Sequence, residues 1–256
     1  MSRRTIRRFP AVLLALLLLL GGSAVPAESS SSAGSVPAPI SRQGFLLDTY
    51  IQITLYGCDD RALLDRCFAQ IERYEALFSR TLPESELALL NRSGEAVVSP
   101  ETADLIARGL AWGKRTDGVL DISIGPASSL WRFDPESPRI PPPSSLISAV
   151  SHIDYRQIAV EGTTVRLPQG AMLDLGAIAK GYIADRLKEF LLAEGVESAL
   201  INLGGNLLCV GQKPGGVPFR VGVQLPFSAY GQTAVTLLVS DRSAVTSGIY
   251  ERCFEQ

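Results

Sequence analysis

The sequence predicts an α+β chain in which mixed and antiparallel sheets are flanked by helices, and three observations predict it. Residues 45–55 alternate apolar and polar side chains with period two, the pattern of a half-buried strand. The next segment changes to apolar residues at three- and four-residue spacing, which is helical. The C-terminal part reads as successive strands broken by turn residues. With 46 % hydrophobic and 20 % charged residues in 256, the chain is globular, with a sizeable core in one large or two small domains.

The N-terminus reads as an export signal over residues 1–27. Arg3, Arg4, Arg7 and Arg8 precede the apolar run Ala11 to Leu20, and Val25-Pro26-Ala27 offers small residues for cleavage. That run is short for a bilayer span, so cleavage is expected, with an uncleaved anchor as the alternative. Ser2-Arg3-Arg4 is read as an ordinary basic region, because the leucine-rich core favours the general secretory route. No cysteine follows the apolar run closely, the first being Cys58, so a lipoprotein is not expected. These features place the protein in the periplasm or on the extracytoplasmic face of the membrane, touching lipid only through this segment. Residues 28–42 are Ser-, Ala-, Gly- and Pro-rich and read as a flexible linker, leaving residues 43–256 as the folded domain.

Removing residues 1–27 takes four of the 24 basic residues and none of the 26 acidic ones, a formal charge of −6. Nucleic acid is therefore not an expected partner. Cys58, Cys67, Cys209 and Cys253 have neither Cys-x-x-Cys spacing nor a nearby histidine, which argues against zinc. An oxidising compartment permits disulfides, but the sequence fixes no pairing, and Cys67 falls on the apolar face of a helix.

In chain order, Phe45, Leu47, Thr49, Ile51, Ile53 and Leu55 share one face of a single strand. Asp59-Asp60 suit the start of a helix carrying Leu63, Leu64, Cys67, Phe68, Ile71, Tyr74 and Phe78, which Ser79-Arg80-Thr81 breaks. Ser85 caps a short helix through Leu90; Ser99-Pro100 opens a longer one that ends at Thr116-Asp117-Gly118. Val119 to Pro126 is a strand-like run containing Asp121, whose carboxylate requires an exposed edge, a backbone donor or a ligand. A stiff loop over Pro138 to Pro143 leads to a helix from Ser144 to Val150, then strands near 157–160 and 163–167 turn at Glu161-Gly162. Apolar Ala171-Met172-Leu173 gives way at Asp174 to a helix running to Gly195. Strands over 198–203, 207–210, 219–223 and 233–239 complete the chain, and no solenoid or propeller repeat is present.

Chemistry concentrates in Asp174-Leu175-Gly176-Ala177-Ile178-Ala179-Lys180-Gly181. Backbone N–H groups at a helix start, with Lys180 one turn in, form a cradle for phosphate or pyrophosphate, and Gly176 allows close approach. The alternative is a capped helix start with a solvated lysine. The sole histidine, His152, reads as a surface or packing residue.

Four motifs occur in order: Thr116-Asp117-Gly118-Val119-Leu120-Asp121-Ile122 with Gly125-Pro126; Asp174 to Gly181; Asn202-Leu203-Gly204-Gly205-Asn206; and Thr246-Ser247-Gly248-Ile249-Tyr250-Glu251-Arg252. This combination closely resembles the FAD:protein FMN transferase (ApbE-like) family from about Gln43 to Arg252. The resemblance implies an ApbE-like fold with a nucleotide cleft between two lobes. It also implies Mg²⁺-dependent transfer of FMN from FAD to a threonine hydroxyl on an exported flavoprotein subunit of a redox complex. By the same resemblance Leu47, Thr81, Val119, Leu120, Asp121, Asp174 and Lys180 contact the flavin nucleotide, and Ala177 supplies a metal ligand through its backbone oxygen. Asp121 and Asp174 would then bind ribose or adenine donors or hold Lys180, unless both are turn and cap residues. The glycines of 202–206 serve either a tight strand connection or ligand approach.

The family pattern continues into His-x-x-Asp-Pro and Asp-Ala-x-x-Thr-Ala segments that these 256 residues do not contain. In the family those segments complete the metal site and hold a candidate histidine for activating the acceptor. The catalytic residue is thus unknown in this sequence, and weak Mg²⁺ binding with impaired transfer is expected of a C-terminally truncated chain. Two alternatives use the same pocket: a Mg²⁺-dependent FAD pyrophosphatase and a non-catalytic periplasmic FAD-binding protein.

Overall fold

The computed structural model describes residues 37–133, 136–229 and 231–248. The signal, most of the linker, the Ile249-Tyr250-Glu251-Arg252 end of the last motif and Cys253 lie outside them. The described residues belong to one compact unit. Among the described residues no helix is long and apolar enough to cross a membrane.

A five-stranded antiparallel sheet forms the scaffold. Its strands are β1 (Ile40–Leu46), β2 (Thr49–Leu55), β6 (Ala199–Leu203), β7 (Asn206–Val210) and β10 (Ser243–Val245), hydrogen-bonded in the order β1-β2-β6-β7-β10. Period-two alternation in β2 and β6 turns Ile51, Ile53, Leu55, Ala199, Ile201 and Leu203 inward, all fully buried. Against that face pack α1 (Arg61–Phe78) and α6 (Gly176–Ala193), which contribute Leu64, Ile71, Ile183, Leu187 and Leu191. Truncating one such core side chain to alanine costs about 2–5 kcal/mol.

Helix starts follow their caps. Asp60 accepts from Ala62 N–H, Ser85 from Ala88 N–H ahead of α2 (Glu86–Ser93), and Ser99 from Thr102 N–H ahead of α3 (Pro100–Arg115). Beyond α3 come the short α4 (Gly125–Ser128) and α5 (Pro143–Val150). A small sheet ordered β3 (Glu95–Val97), β5 (Thr164–Arg166), β4 (Ala159–Glu161) and a ribbon of β8 (Phe219–Gln224) with β9 (Thr233–Val239) complete the chain.

Three local expectations are corrected. The single long strand is a hairpin: Leu46 pairs with Thr49 across a two-residue turn in which Leu47 and Asp48 both have φ 54°. That is the left-handed turn conformation which Asn-Gly ordinarily signals, so Leu-Asp hid it. Its first strand starts at Ile40, inside the stretch expected as linker. Residues 119–126 do not form a strand; Ile124 makes one parallel bridge to Met172 and the chain then turns into α4. The short strands β3 and β10 carry too few residues for a period to be read.

Cys58, Cys67 and Cys209 are free thiols. Cys67 sits on the buried face of α1, where burial pushes its pKa up to about 12.

Candidate nucleotide cleft

A cleft of about 590 Å³ opens where the β1–β2 turn, the end of α1 and the start of α6 converge. Phe45 to Asp48 line one side, Glu75, Phe78 and the loop from Ser79 to Leu82 a second, and Asp174, Gly176, Ala179, Lys180 and Ile183 the third. Each wall is fixed by a specific bond. Leu47 N–H donates to Glu75 Oε1 at 2.7 Å, which holds the turn against α1. The cap residue Ser79 takes extended backbone, and its Oγ accepts from Thr81 N–H and Leu82 N–H, so the chain doubles back and Arg80 reaches α6.

Arg80 Nε donates to Asp174 Oδ2 at 3.1 Å. The same oxygen accepts from Ser128 Oγ at 2.7 Å, while Oδ1 accepts from Gly176 N–H at 3.0 Å. Asp174 is itself held in place: its N–H donates to Ile122 O, and Asn91 brackets Leu173 through both N–H and carbonyl. Residues 171–173 thus gain a side-chain partner, Asn91, beside the single bridge from Met172 to Ile124. Behind the cleft Tyr74 stacks on Phe78 and Tyr182 meets both rings edge-on. Burial raises both phenols, Tyr182 to about 12 with a further push from the Asp104 carboxylate, so they stay neutral.

Of the residues expected at the nucleotide, Leu47, Thr81, Asp174 and Lys180 come together here from three separate parts of the chain. Val119, Leu120 and Asp121 do not line the cleft. Val119 is 90 % exposed, and Leu120 N–H donates to Thr116 Oγ1 while its side chain packs on the core. Asp121 accepts from Ser123 N–H, Ser123 Oγ and Tyr155 N–H, so backbone and hydroxyl donors satisfy its carboxylate and staple the loop. The backbone cradle expected at the α6 start is largely filled from within. Gly176 N–H goes to Asp174, and Ile178 and Ala179 N–H go to Leu175 O.

Ala177 lies exposed on the first turn of α6, beside cleft residues Gly176 and Ala179. Among the described residues no group of three or more His, Cys, Asp or Glu side chains could hold a metal ion. The side chains of the described residues therefore do not by themselves build a cation shell. The 202–206 glycines serve the strand connection. Gly204 has φ 61° and a Cβ there would lie 2.2 Å from Thr49 Oγ1, while Gly205 N–H donates to Asn202 Oδ1. His152 packs over Gly170, where a Cβ would lie 2.4 Å from its Nδ1.

Sequence reasoning passed over Arg80 and Glu75. Arg80 stood beside Thr81 in a segment where it was read as part of a helix break, and Glu75 on the polar face of α1 carried no distinguishing signal. A second hollow of about 600 Å³ lies along β8, β9 and β10, but it is mostly apolar, and among the described residues Arg242 is the one charged side chain lining it. The α1–α6 cleft holds the convergent polar groups.

The ApbE family model matches residues 47–256. The chain belongs to the ApbE family. It is 35 % identical over 222 residues to an FAD:protein FMN transferase of Klebsiella pneumoniae, and 32 % identical over 239 residues to one of Treponema pallidum. Each match covers 84 % of this chain, which spans about two thirds of the relative's length, 68 % and 66 %. The ApbE fold is equally clear. The Thermotoga maritima ApbE structure superposes with a TM-score of 0.78 at 27 % identity, covering 86 % of this chain and 73 % of that one. The flavin transferase ApbE of Vibrio cholerae gives 0.73 at 25 %, covering 86 % and 74 %.

Proposed function

We propose that this protein is a transferase that moves FMN from FAD onto a threonine hydroxyl of an exported flavoprotein subunit of a redox complex. The observation that carries the reading is the α1–α6 cleft, where Leu47, Thr81, Asp174 and Lys180 meet beside Arg80. In such a reaction the acceptor oxygen attacks the phosphorus of the FMN half, the bond to the bridging oxygen breaks, and AMP leaves; the hydroxyl proton passes to a base. No described residue is assigned as that base. Charge neutralisation and positioning dominate phosphoryl transfer, so cations at the diphosphate matter more than covalent help. Arg80 and Lys180 supply positive charge at this cleft. Mg²⁺ is the proposed co-reactant, on the strength of family resemblance and the hard oxygen at Ala177. When bound it polarises the pyrophosphate.

The reading includes export through residues 1–27 to the periplasm or the outer face of the membrane, supported by their basic-then-apolar pattern. Fusing residues 1–42 to a reporter active only outside the cytoplasm tests this; activity is expected, and a fusion that accumulates without activity would contradict it.

Transfer is tested by incubating the purified protein with FAD, Mg²⁺ and an acceptor domain and recording the acceptor's intact mass. One added FMN, lost on replacing the acceptor threonine by alanine, is the expected result. FMN and AMP released to water with an unmodified acceptor would support the pyrophosphatase instead. FAD bound and recovered intact would support a carrier.

A further inference from the structure

Asp174 faces a difficulty as a direct nucleotide ligand. A carboxylate set against a diphosphate is repelled, and three of the roughly four acceptor positions of this one are filled, by Gly176 N–H, Ser128 Oγ and Arg80 Nε. Its side chain is 21 % exposed. Arg80 differs. With Nε held by Asp174, the guanidinium plane is fixed, and its terminal nitrogens make no hydrogen bond to another described residue while the side chain lines the cleft. A planar pair of N–H donors in fixed orientation is the geometry that grips a phosphate bidentately.

We propose that Arg80 is the side chain that contacts the diphosphate of the bound dinucleotide, and that Asp174 is a positioning residue acting on the ligand through Arg80. Ser128, from α4, and Gly176, at the start of α6, hold the carboxylate, so one carboxylate links α4, α6 and the loop after α1 to the orientation of one cation. This assignment rests on the reading of the cleft as the FAD site.

The test is a set of FAD and riboflavin affinities from quenching of flavin fluorescence, for the wild-type protein, Arg80→Gln, Arg80→Lys, Asp174→Asn and the Arg80→Gln/Asp174→Asn double variant, with thermal melts to establish folding. Arg80→Gln is expected to weaken FAD about 10- to 100-fold, the loss of a charge-assisted hydrogen-bonded contact. Arg80→Lys should recover part of it. Riboflavin, which has no phosphate, should change less than about threefold on the same scale. Asp174→Asn should weaken FAD alone but add less than about threefold to Arg80→Gln, since the two act through one contact. Equal weakening of FAD and riboflavin by Arg80→Gln would overturn the proposal, as would a full multiplicative loss in the double variant. Should Asp174→Asn not fold, Asp174→Glu takes its place in the cycle. If the wild-type protein binds no FAD, the cleft reading itself fails, a result separable from additive behaviour in a protein that does bind.

Discussion

Leu47 N–H donates to Glu75 Oε1 at 2.7 Å, which joins the turn of the first hairpin to α1 beside the cleft. Leu47 and Asp48 both sit at φ 54°, a region costly for residues with a Cβ, so the turn persists because its surroundings over-determine it. Glu75→Ala removes the acceptor. It is expected to destabilise the fold by about 1 kcal/mol and to weaken FAD binding, whereas Glu75→Gln, which keeps an acceptor oxygen, should lose less of both. Urea unfolding and flavin titration of the two variants check this.

Gly125 sits where a Cβ would lie 2.4 Å from Met172 O, and its N–H donates to that same oxygen. Gly125→Ala must push the 122–125 loop away from 172–174 and draw Ser128 off Asp174. A loss of about 1–3 kcal/mol is expected from the overpacking, together with weaker FAD binding by a residue that does not line the cleft. Unchanged FAD affinity in the folded variant would show that α4 does not support the site.

The fold was legible wherever a period or a cap ran long enough. The buried stripe of α1, the caps Ser85 and Ser99, and β9 at Thr233–Val239 all stand where pattern placed them. The Leu47-Asp48 turn was not legible, because alternation continues in phase across it and neither residue announces a positive φ. Residues 119–126 misled for a related reason: apolar side chains there reach the core from a loop, and Asp121 is satisfied by Ser123 and Tyr155, a pairing 34 residues away that no local pattern encodes. At the site, Asp174 and Lys180 stood out by motif. Arg80 acquires meaning only once α1 and α6 lie side by side.

Cys67 is fully buried with its pKa pushed up to about 12, while Cys58 is half-buried. At pH 8 the Cys67 thiol stays protonated and shielded. Iodoacetamide labelling of the native protein, mapped by peptide mass, should modify Cys58 well before Cys67, and denaturant should abolish the difference.

Glu101, at the start of α3, pairs with Arg73 of α1, and the hydrogen bond from that guanidinium holds its pKa below the usual carboxylate range. A depressed pKa contributes stability above the unfolded value of about 4.3 and loses it as pH falls through the folded value. The stability difference between wild type and Glu101→Gln should therefore be present near pH 7 and shrink below about pH 4. Because Arg73 is half exposed, the difference should stay below about 1 kcal/mol. Urea unfolding across that pH range measures it.

FAD is expected to occupy the cleft between the first hairpin turn, the end of α1 and the start of α6. Hydrogen exchange of the purified protein with and without FAD tests it most directly. Slowed exchange is expected in 45–48, 78–82 and 174–183, with β8 and β9 unchanged. Protection confined to the hollow along β8, β9 and β10, or none in the three cleft segments at saturating FAD, would contradict it.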